Sequence, residues 1–412
     1  MSTGSDKYSH LVSLRPAPGI TRPEGQTSPA TAERADRMAR LLEADHYETD
    51  RGTHLVARRR FPDPVDRPVG LRAHRILFPG GAEITADPRQ WIFLDTETTG
   101  LAGGTGTYAF LVGVAWWDGE GLAVEQYFMP DHSREASMLR DLAVRLAGRP
   151  VYVTFNGKSF DCPLLDTRFR MTRLGGLPPP AAHLDLLHPA RTLWRTCLKS
   201  VALAEIERRI LALDRGPDIP SETIPGRYFA FLRGGPPEPL VEVFDHNAKD
   251  LRGMAVLALH IMQMLEETAG ADYDPNQLYG ISRLMRLRGE PDLALEAAAR
   301  ALEKGLSGAA AVSARHELAL LSRKARDYQG ASRHWGRLLT DNRVGMEAYE
   351  QLAIFHEHHS GDLQMAIRIT REAIVRLQED CRSGRISSLQ HERLHAAFQH
   401  RLARLHRKSQ QP

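Results

Sequence analysis

Residues 91–94, Trp91-Ile92-Phe93-Leu94, are uninterruptedly apolar before the chain breaks into Asp95-Thr96-Glu97-Thr98-Thr99-Gly100. A run of that length ending at a glycine turn predicts a buried strand over residues 91–97. Similar runs at 108–117 and 122–129, joined by glycine-rich turns, predict two more strands in a meander. The period then changes. Residues 134–147 read as a helix, 151–155 as a short buried strand and 159–174 as a helix, with a further strand at 183–187 after the Pro178-Pro179-Pro180 break. Residues 193–213 and 240–268 are mostly helical by the same reading. Meandering strands followed by alternating helices and strands predict an α/β fold, a mixed sheet with flanking helices, over residues 91–268.

On the N-terminal side, residues 1–30 carry Ser, Pro, Gly and Thr without periodicity and read as a flexible tail. Residues 31–44 form a short amphipathic helix, and the basic, proline-rich residues 58–68 an extended connection. Residues 31–90 are thus expected to be an N-terminal helix and connecting segment. The C-terminal side changes character. Turns at Arg288-Gly289-Glu290-Pro291-Asp292, Ala325-Arg326-Asp327-Tyr328 and Ser360-Gly361-Asp362-Leu363 each precede an apolar-periodic helix. Ala294, Ala331 and Ala366, the equivalent positions, are 37 and 35 residues apart. That is close to the tetratricopeptide repeat of about 34 residues. Residues 272–406 are therefore expected to be an all-α, tetratricopeptide-like region with a face for a protein partner; an ordinary helical bundle is the alternative.

Composition narrows the classes. With 42% apolar and 25% charged residues over 412 positions the chain is globular, with room for two or three domains. The net charge of +3 does not by itself argue for nucleic acid. Between residues 382 and 412, however, seven Lys or Arg face one acid, Glu392. Such a tail can touch phosphates or be a solvated helix face. Cys162, Cys197 and Cys381 are far apart and give neither a zinc ribbon nor a disulfide framework. No signal peptide is visible, and no apolar stretch reaches the roughly 20 residues of a membrane helix, so a cytoplasmic protein without a membrane partner is expected.

The chemistry concentrates at a few acids. Asp95 and Glu97, two apart on a strand, point to the same face, where they repel unless a cation or proton lies between them. A hard divalent ion such as Mg²⁺ suits that pair. Asp161 stands in the first turn of the helix after the Asn156-Gly157 turn, where a capping role is also open to it. His246 and Asp250 are four apart on a helix and share a face. The stretch Gly103-Gly104-Thr105-Gly106-Thr107 lacks the Gly-Lys-Ser/Thr and helix of a nucleotide-cradling loop and reads as a strand connection.

In this order, Asp95-Thr-Glu97, Asn156-x-x-x-x-Asp161 and His246-x-x-x-Asp250 resemble the three exonuclease motifs of the DEDD superfamily, which has a ribonuclease-H-like fold. The span from about residue 90 to 265 is similar to the YprB-like subgroup of predicted exonucleases. Phe-Leu-Asp-Thr-Glu-Thr-Thr-Gly-Leu with a following Gly-Thr-Tyr, Asn-Gly-Lys-Ser-Phe-Asp, His183-Leu-Asp-Leu-Leu-His188 and His246-Asn247 carry that likeness. The resemblance implies a ribonuclease-H-like mixed sheet and a 3′–5′ exonuclease acting on single-stranded DNA or RNA with two Mg²⁺ or Mn²⁺ ions. In that scheme Asp95 bridges both ions, Glu97 and Asp250 complete one, and Asp161 holds the other. His246 orients or deprotonates the attacking water, and Asn156, Lys158 and Thr98 meet the substrate. Lys199 is another candidate for phosphate, and Asn156 serves equally as a turn residue. One departure stands out. His246 lies four residues before Asp250, the spacing of the tyrosine branch, whereas the histidine branch uses five. His183 and Asp185 remain rivals for its role. Endonucleolytic cutting by the same site, and a catalytically silent scaffold that binds through its helical repeats, are the alternative functions.

Overall fold

The computed structural model describes residues 29–62, 69–100, 105–267, 272–339 and 345–410. The expected tail up to residue 28, the proline-rich residues 63–68 and the glycines 103 and 104 lie outside the described residues. Helix α1 (Pro29–Leu42) leads into a hairpin of β1 (Asp45–Thr49) and β2 (Gly52–Phe61), followed by the short α2 (Leu71–Leu77). The meander is β3 (Trp91–Thr98), β4 (Ala109–Asp118) and β5 (Gly121–Phe128). Then come α3 (Glu135–Ala147), β6 (Val151–Thr154), α4 (Asp161–Met171), β7 (Ala182–Asp185), α5 (Leu187–Trp194), α6 (Leu203–Ile206), α7 (Ile224–Leu232) and the 29-residue α8 (Glu238–Glu266).

All seven strands form one mixed sheet in the order β1-β2-β5-β4-β3-β6-β7. β3, β6 and β7 run parallel, linked by helical crossovers, and the remaining neighbours are antiparallel. This is the ribonuclease-H-like architecture, with helices on both faces. Alternation along β3 sends Trp91 and Phe93 to one core, with Trp117, Val124 and the α8 residues Leu251, Met254 and Ala258. It sends Ile92 and Leu94 to the other, with Leu139 and Leu142 of α3 and Leu165 and Phe169 of α4. Burial on both faces is why the strand reads as an unbroken apolar run.

Two expectations differ from what is observed. Residues 58–61 are not a connection but the end of β2, paired with β5 from Leu55↔Phe128 to Phe61↔Leu122. The arginine run hid the strand because each arginine is matched by an acid: Arg58 with Glu125 at 3.0 Å, Arg59 with Asp245 at 2.8 Å and Arg60 with Asp118. The helix expected over 193–213 is interrupted. After α5 the chain is irregular until α6, which returns Leu203 and Ile206 to the core beneath α8 and continues into a π-helical turn, Glu207–Leu211, closed by Ala212 at φ +49°.

The C-terminal region is entirely helical: α9 (Pro275–Leu287), α10 (Pro291–Glu303), α11 (Gly308–Lys324), α12 (Tyr328–Leu339), α13 (Glu347–His358), α14 (Leu363–Arg382) and α15 (Ser388–Ser409). α9 is fused to the sheet domain. Gly280 lies so close to Leu193 of α5 that a Cβ would come within 2.2 Å of the Leu193 carbonyl oxygen, and Ile281, Leu284, Met285, Ala294 and Ala297 join the core that holds Trp91. Beyond α10 the core divides into small clusters, one around Trp335, Leu338, Leu352 and Ala353.

Candidate active site

At its C-terminal end β3 meets α8 on one face and the start of α4 on the other. Asp95 and Glu97 point to the α8 face, following Trp91 and Phe93. Across the sheet, Asp95 pairs in register with Gly113 and Gly113 with Gln126. Gly113 leaves a notch; a Cβ there would fall 2.1 Å from Oδ1 of Asn247. Asn247, fully buried on α8, fills it. Its Nδ2 donates to Asp95 Oδ2 at 2.8 Å, and its Oδ1 accepts from Gln126 Nε2, also at 2.8 Å. The same amide of Gln126 donates to the Phe244 carbonyl at 2.8 Å. A buried amide chain therefore fixes Asp95 against the helix that carries His246 and Asp250. Thr96, pointing the opposite way, donates to Asp161 Oδ1 at 2.5 Å and ties the first turn of α4 to the same strand end.

The electrostatics show crowding. Burial, then the charges of Asp250, Glu97 and Asp161, hold Asp95 well above the ordinary carboxylate range, against the hydrogen bond from Asn247. Burial and the charges of Asp250, Asp161 and Asp218 do the same to Glu97. Asp161 is pushed up to about 6, chiefly by burial and in spite of its bond from Thr96. These four acids, which the sequence placed in three motifs, act on one another at the end of β3.

Three residues that no sequence signal singled out complete the arrangement. His246 Nδ1 lies 2.8 Å from Asp218 Oδ1, while Nε2 faces Ser221 Oγ at 3.5 Å and Asp250 Oδ2 at 3.7 Å. A carboxylate on Nδ1 favours the proton there and leaves Nε2 as the acceptor. Arg215 spans Glu207 at 2.9 Å, Asp218 at 3.1 Å and Asp250. Glu207 is 1% exposed, and burial pushes it up to about 7 despite the Arg215 charge. It sits on the π-helical turn opposite Gly253, where a Cβ would collide with its carboxylate. Asp214-Arg215-Gly216-Pro217-Asp218 reads only as a charged turn, which is why these partners were missed; a helix written through Glu207 also concealed the π turn.

The remaining expected residues are placed differently. Asn156 adopts φ +71°, a left-handed conformation Asn tolerates, and its side chain is exposed. Its backbone N–H and those of Lys158 and Leu187 donate to Asp185 at 2.8, 3.1 and 3.1 Å, so Asp185 is a turn anchor. His183 Nε2 lies 2.9 Å from Thr154 Oγ1, and burial with the Lys158 charge lowers it to about 4. Thr98 Oγ1 donates to the Gly100 carbonyl at 3.0 Å. Lys158 and Lys199 are exposed.

Among the described residues, no group of three or more His, Cys, Asp or Glu side chains is arranged to hold a metal ion as it stands. The donor chemistry nevertheless fits one. Every candidate ligand is a carboxylate oxygen, and the guanidinium of Arg215 already lies against Asp250 as a protein-borne cation. Mg²⁺ in particular is held by one or two carboxylates with waters and substrate phosphates as its other ligands, rather than by a closed protein cage.

Residues 92–262, which contain all four acids and His246, match the family model of the RNase H superfamily. The chain is also similar to the uncharacterized protein YprB of Bacillus subtilis (strain 168). The two are 30% identical over 320 residues, 77% of this chain and 74% of that protein. Among the described residues no helix is long and apolar enough to cross a membrane.

Proposed function

This chain belongs to the RNase H superfamily and to the family of the Bacillus YprB protein, and from that premise we propose that it is a two-metal, 3′–5′ exonuclease on single-stranded DNA or RNA. The superfamily supports a nuclease acting on nucleic acid; the direction, the strandedness and the roles below are our reading. The observation that carries it is the convergence of Asp95, Glu97, Asp161 and Asp250 at one strand end, with Asp95 fixed by Asn247 on the helix that bears Asp250.

In this reading Asp95, Glu97, Asp161 and Asp250 would hold the Mg²⁺ or Mn²⁺ ions, with Asp95 common to both. The ions, when bound, supply charge stabilisation at both oxygens of the phosphoryl displacement. His246 takes the proton of the attacking water at Nε2, and Asp218 holds the ring and stabilises the imidazolium that forms. Arg215, held by Glu207 and Asp218, compensates the charge of Asp250 and would give it up to a bound cation. Asn156, Lys158 and Thr98 line the approach of the strand, and the helical region, of tetratricopeptide-like repeats, offers a face to a protein partner.

The test is degradation of 5′-labelled single-stranded DNA and RNA with Mg²⁺ or Mn²⁺ by the wild type and by Asp95→Ala. A shortening ladder from the wild type alone is expected. A substrate blocked at both ends that is still cut would make the enzyme an endonuclease. Intact nucleic acid throughout would sink the proposal and leave the scaffold reading.

A further inference from the structure

Beside the acid cluster the molecule has a second, oppositely charged feature. A cavity of about 370 Å³ opens at the C-terminal end of β7, between that strand and the turn after α2. Lys158, His183, His188 and Arg288 supply its polar wall together with Asp185. The charges there do not cancel. Asp185, held by three backbone N–H groups, brings one negative charge against the two positive charges of Lys158 and Arg288. Glu290, the acid nearest in sequence to Arg288, is paired with Arg75 of α2 at 3.2 Å. Lys158, His188 and Arg288 are exposed, and among the described residues none of the three has a side-chain hydrogen bond or ion pair. Unpaired cations converging on one concavity create a site for an anion.

The position gives the anion its identity. Lys158 belongs to the turn between Asn156 and Asp161, so the backbone that lines the cavity reaches one of the clustered acids three residues later. Asp185 spans the two places, accepting from the backbone N–H groups of Asn156 and Lys158 in the turn that leads to Asp161. Arg288 comes from the far side, on the turn between α9 and α10. That turn is held in place by the Arg75–Glu290 pair and by the backbone contact of Gly280 with Leu193. The cavity is thus walled by both regions of the chain, and a polyanion leaving the acid cluster across Lys158 runs towards Arg288.

We propose that this cavity is a phosphate-binding subsite for the substrate strand, in which Lys158 and Arg288 hold a phosphodiester that is not being cut. The assignment rests on the nuclease reading of the neighbouring cleft. It gives the first helical hairpin a part in gripping nucleic acid, beyond whatever partner the later helices take. Phosphate contacts of this kind position a strand without reading its sequence.

The test is fluorescence anisotropy of labelled single-stranded oligonucleotides, deoxy and ribo, on the full chain over a series of salt concentrations with Mg²⁺. An Asp95→Asn background prevents cleavage while keeping an acceptor for Asn247. Arg288→Ala should weaken binding about tenfold and make log K against log salt shallower by about 0.7, the loss of one phosphate contact on a single strand. Lys158→Ala should do the same, and Arg288→Lys should restore the slope. Unchanged affinity and slope in both alanine variants, with wild type still cutting, would overturn the subsite and leave the nuclease reading standing. No binding and no cutting by wild type would overturn both. Competition by millimolar inorganic phosphate that releases the oligonucleotide would reassign the cavity to a free anion; failure to release it supports the strand.

Discussion

The buried acids at the end of β3 and those of the helical region are treated in opposite ways. In the helical region Glu357 is met by Arg404 at 2.6 Å and Arg401 at 3.7 Å, and Asp380 by Arg385 at 2.7 Å and Arg376 at 3.1 Å. At the end of β3, Asp95, Glu97 and Asp161 are buried against one another and against Asp250, and the guanidinium of Arg215 reaches Asp250. A paired buried acid has its charge compensated, and removing its partner is what costs stability. Crowded acids work against folding, and such strain concentrates where chemistry is performed. The helical region spends these acids on architecture, as the sheet does with Glu125 and Glu135, each met by arginine, whereas the acids at the end of β3 crowd one another.

The largest effect that would sharpen this contrast is loss of cleavage. Asp95→Ala should lower the rate at least about a thousandfold, because it removes the carboxylate shared by both proposed ions. Its thermal stability should stay equal or rise, since a repelling charge has gone; a marked loss of stability by calorimetry would place Asp95 among the architectural acids instead. The reciprocal test is Trp335→Ala in the helical core. It should remove about 3–4 kcal/mol from the unfolding of that region while single-strand cleavage persists. If cleavage falls with it, the two regions fold as one unit.

A smaller effect is expected at the imidazole. Asp218→Asn should reduce the rate about 10- to 100-fold with the substrate KM little changed, by loosening the ring and its tautomer. An equal loss in His246→Ala and in the double variant would show that the pair acts as one unit. The smallest concerns Glu207. Its pKa in the folded chain, about 7, lies above the ordinary 4.5, so the native state binds the extra proton between those values. Stability from this group is present below pH 4.5 and is lost as pH rises through 7. Glu207→Gln does not ionise, so its stability relative to wild type should improve between pH 5 and 8, by on the order of 2 kcal/mol. A difference that does not change with pH would mean that Arg215 fully compensates the charge.

Much of this was legible in the residues, for reasons that vary along the chain. The β3–β5 meander was clear because both faces are buried and the strands are continuously apolar. The acids were clear because spacing on a strand or helix fixes their direction. β2 was not: Arg58, Arg59 and Arg60 alternate in direction but not in polarity, and their acidic partners lie at positions 125, 245 and 118. Arg215, Asp218 and Glu207 escaped for the same reason, since their meaning lies in what a turn brings opposite α8. Gly113 carries no signal of its own inside the strand expected over residues 108–117. Only the register with Asp95 and Gln126 shows it to be the notch for Asn247.

Helix α8 has one further consequence. Near its middle it carries His246, Asn247 and Asp250; at its end, Glu266 accepts from the Ala73 backbone at 2.7 Å, just before the chain enters α9. The sixteen residues from Asp250 to Glu266 make a stiff rod of about 24 Å. Held at its far end, such a rod is a lever. A tilt of about two degrees there displaces Asp250 by nearly 1 Å, a misplacement that in enzymes can change rates on the order of a hundredfold. If Asp250 holds a metal ion as proposed, a shift of α8 at its Glu266 end would be felt at the acids.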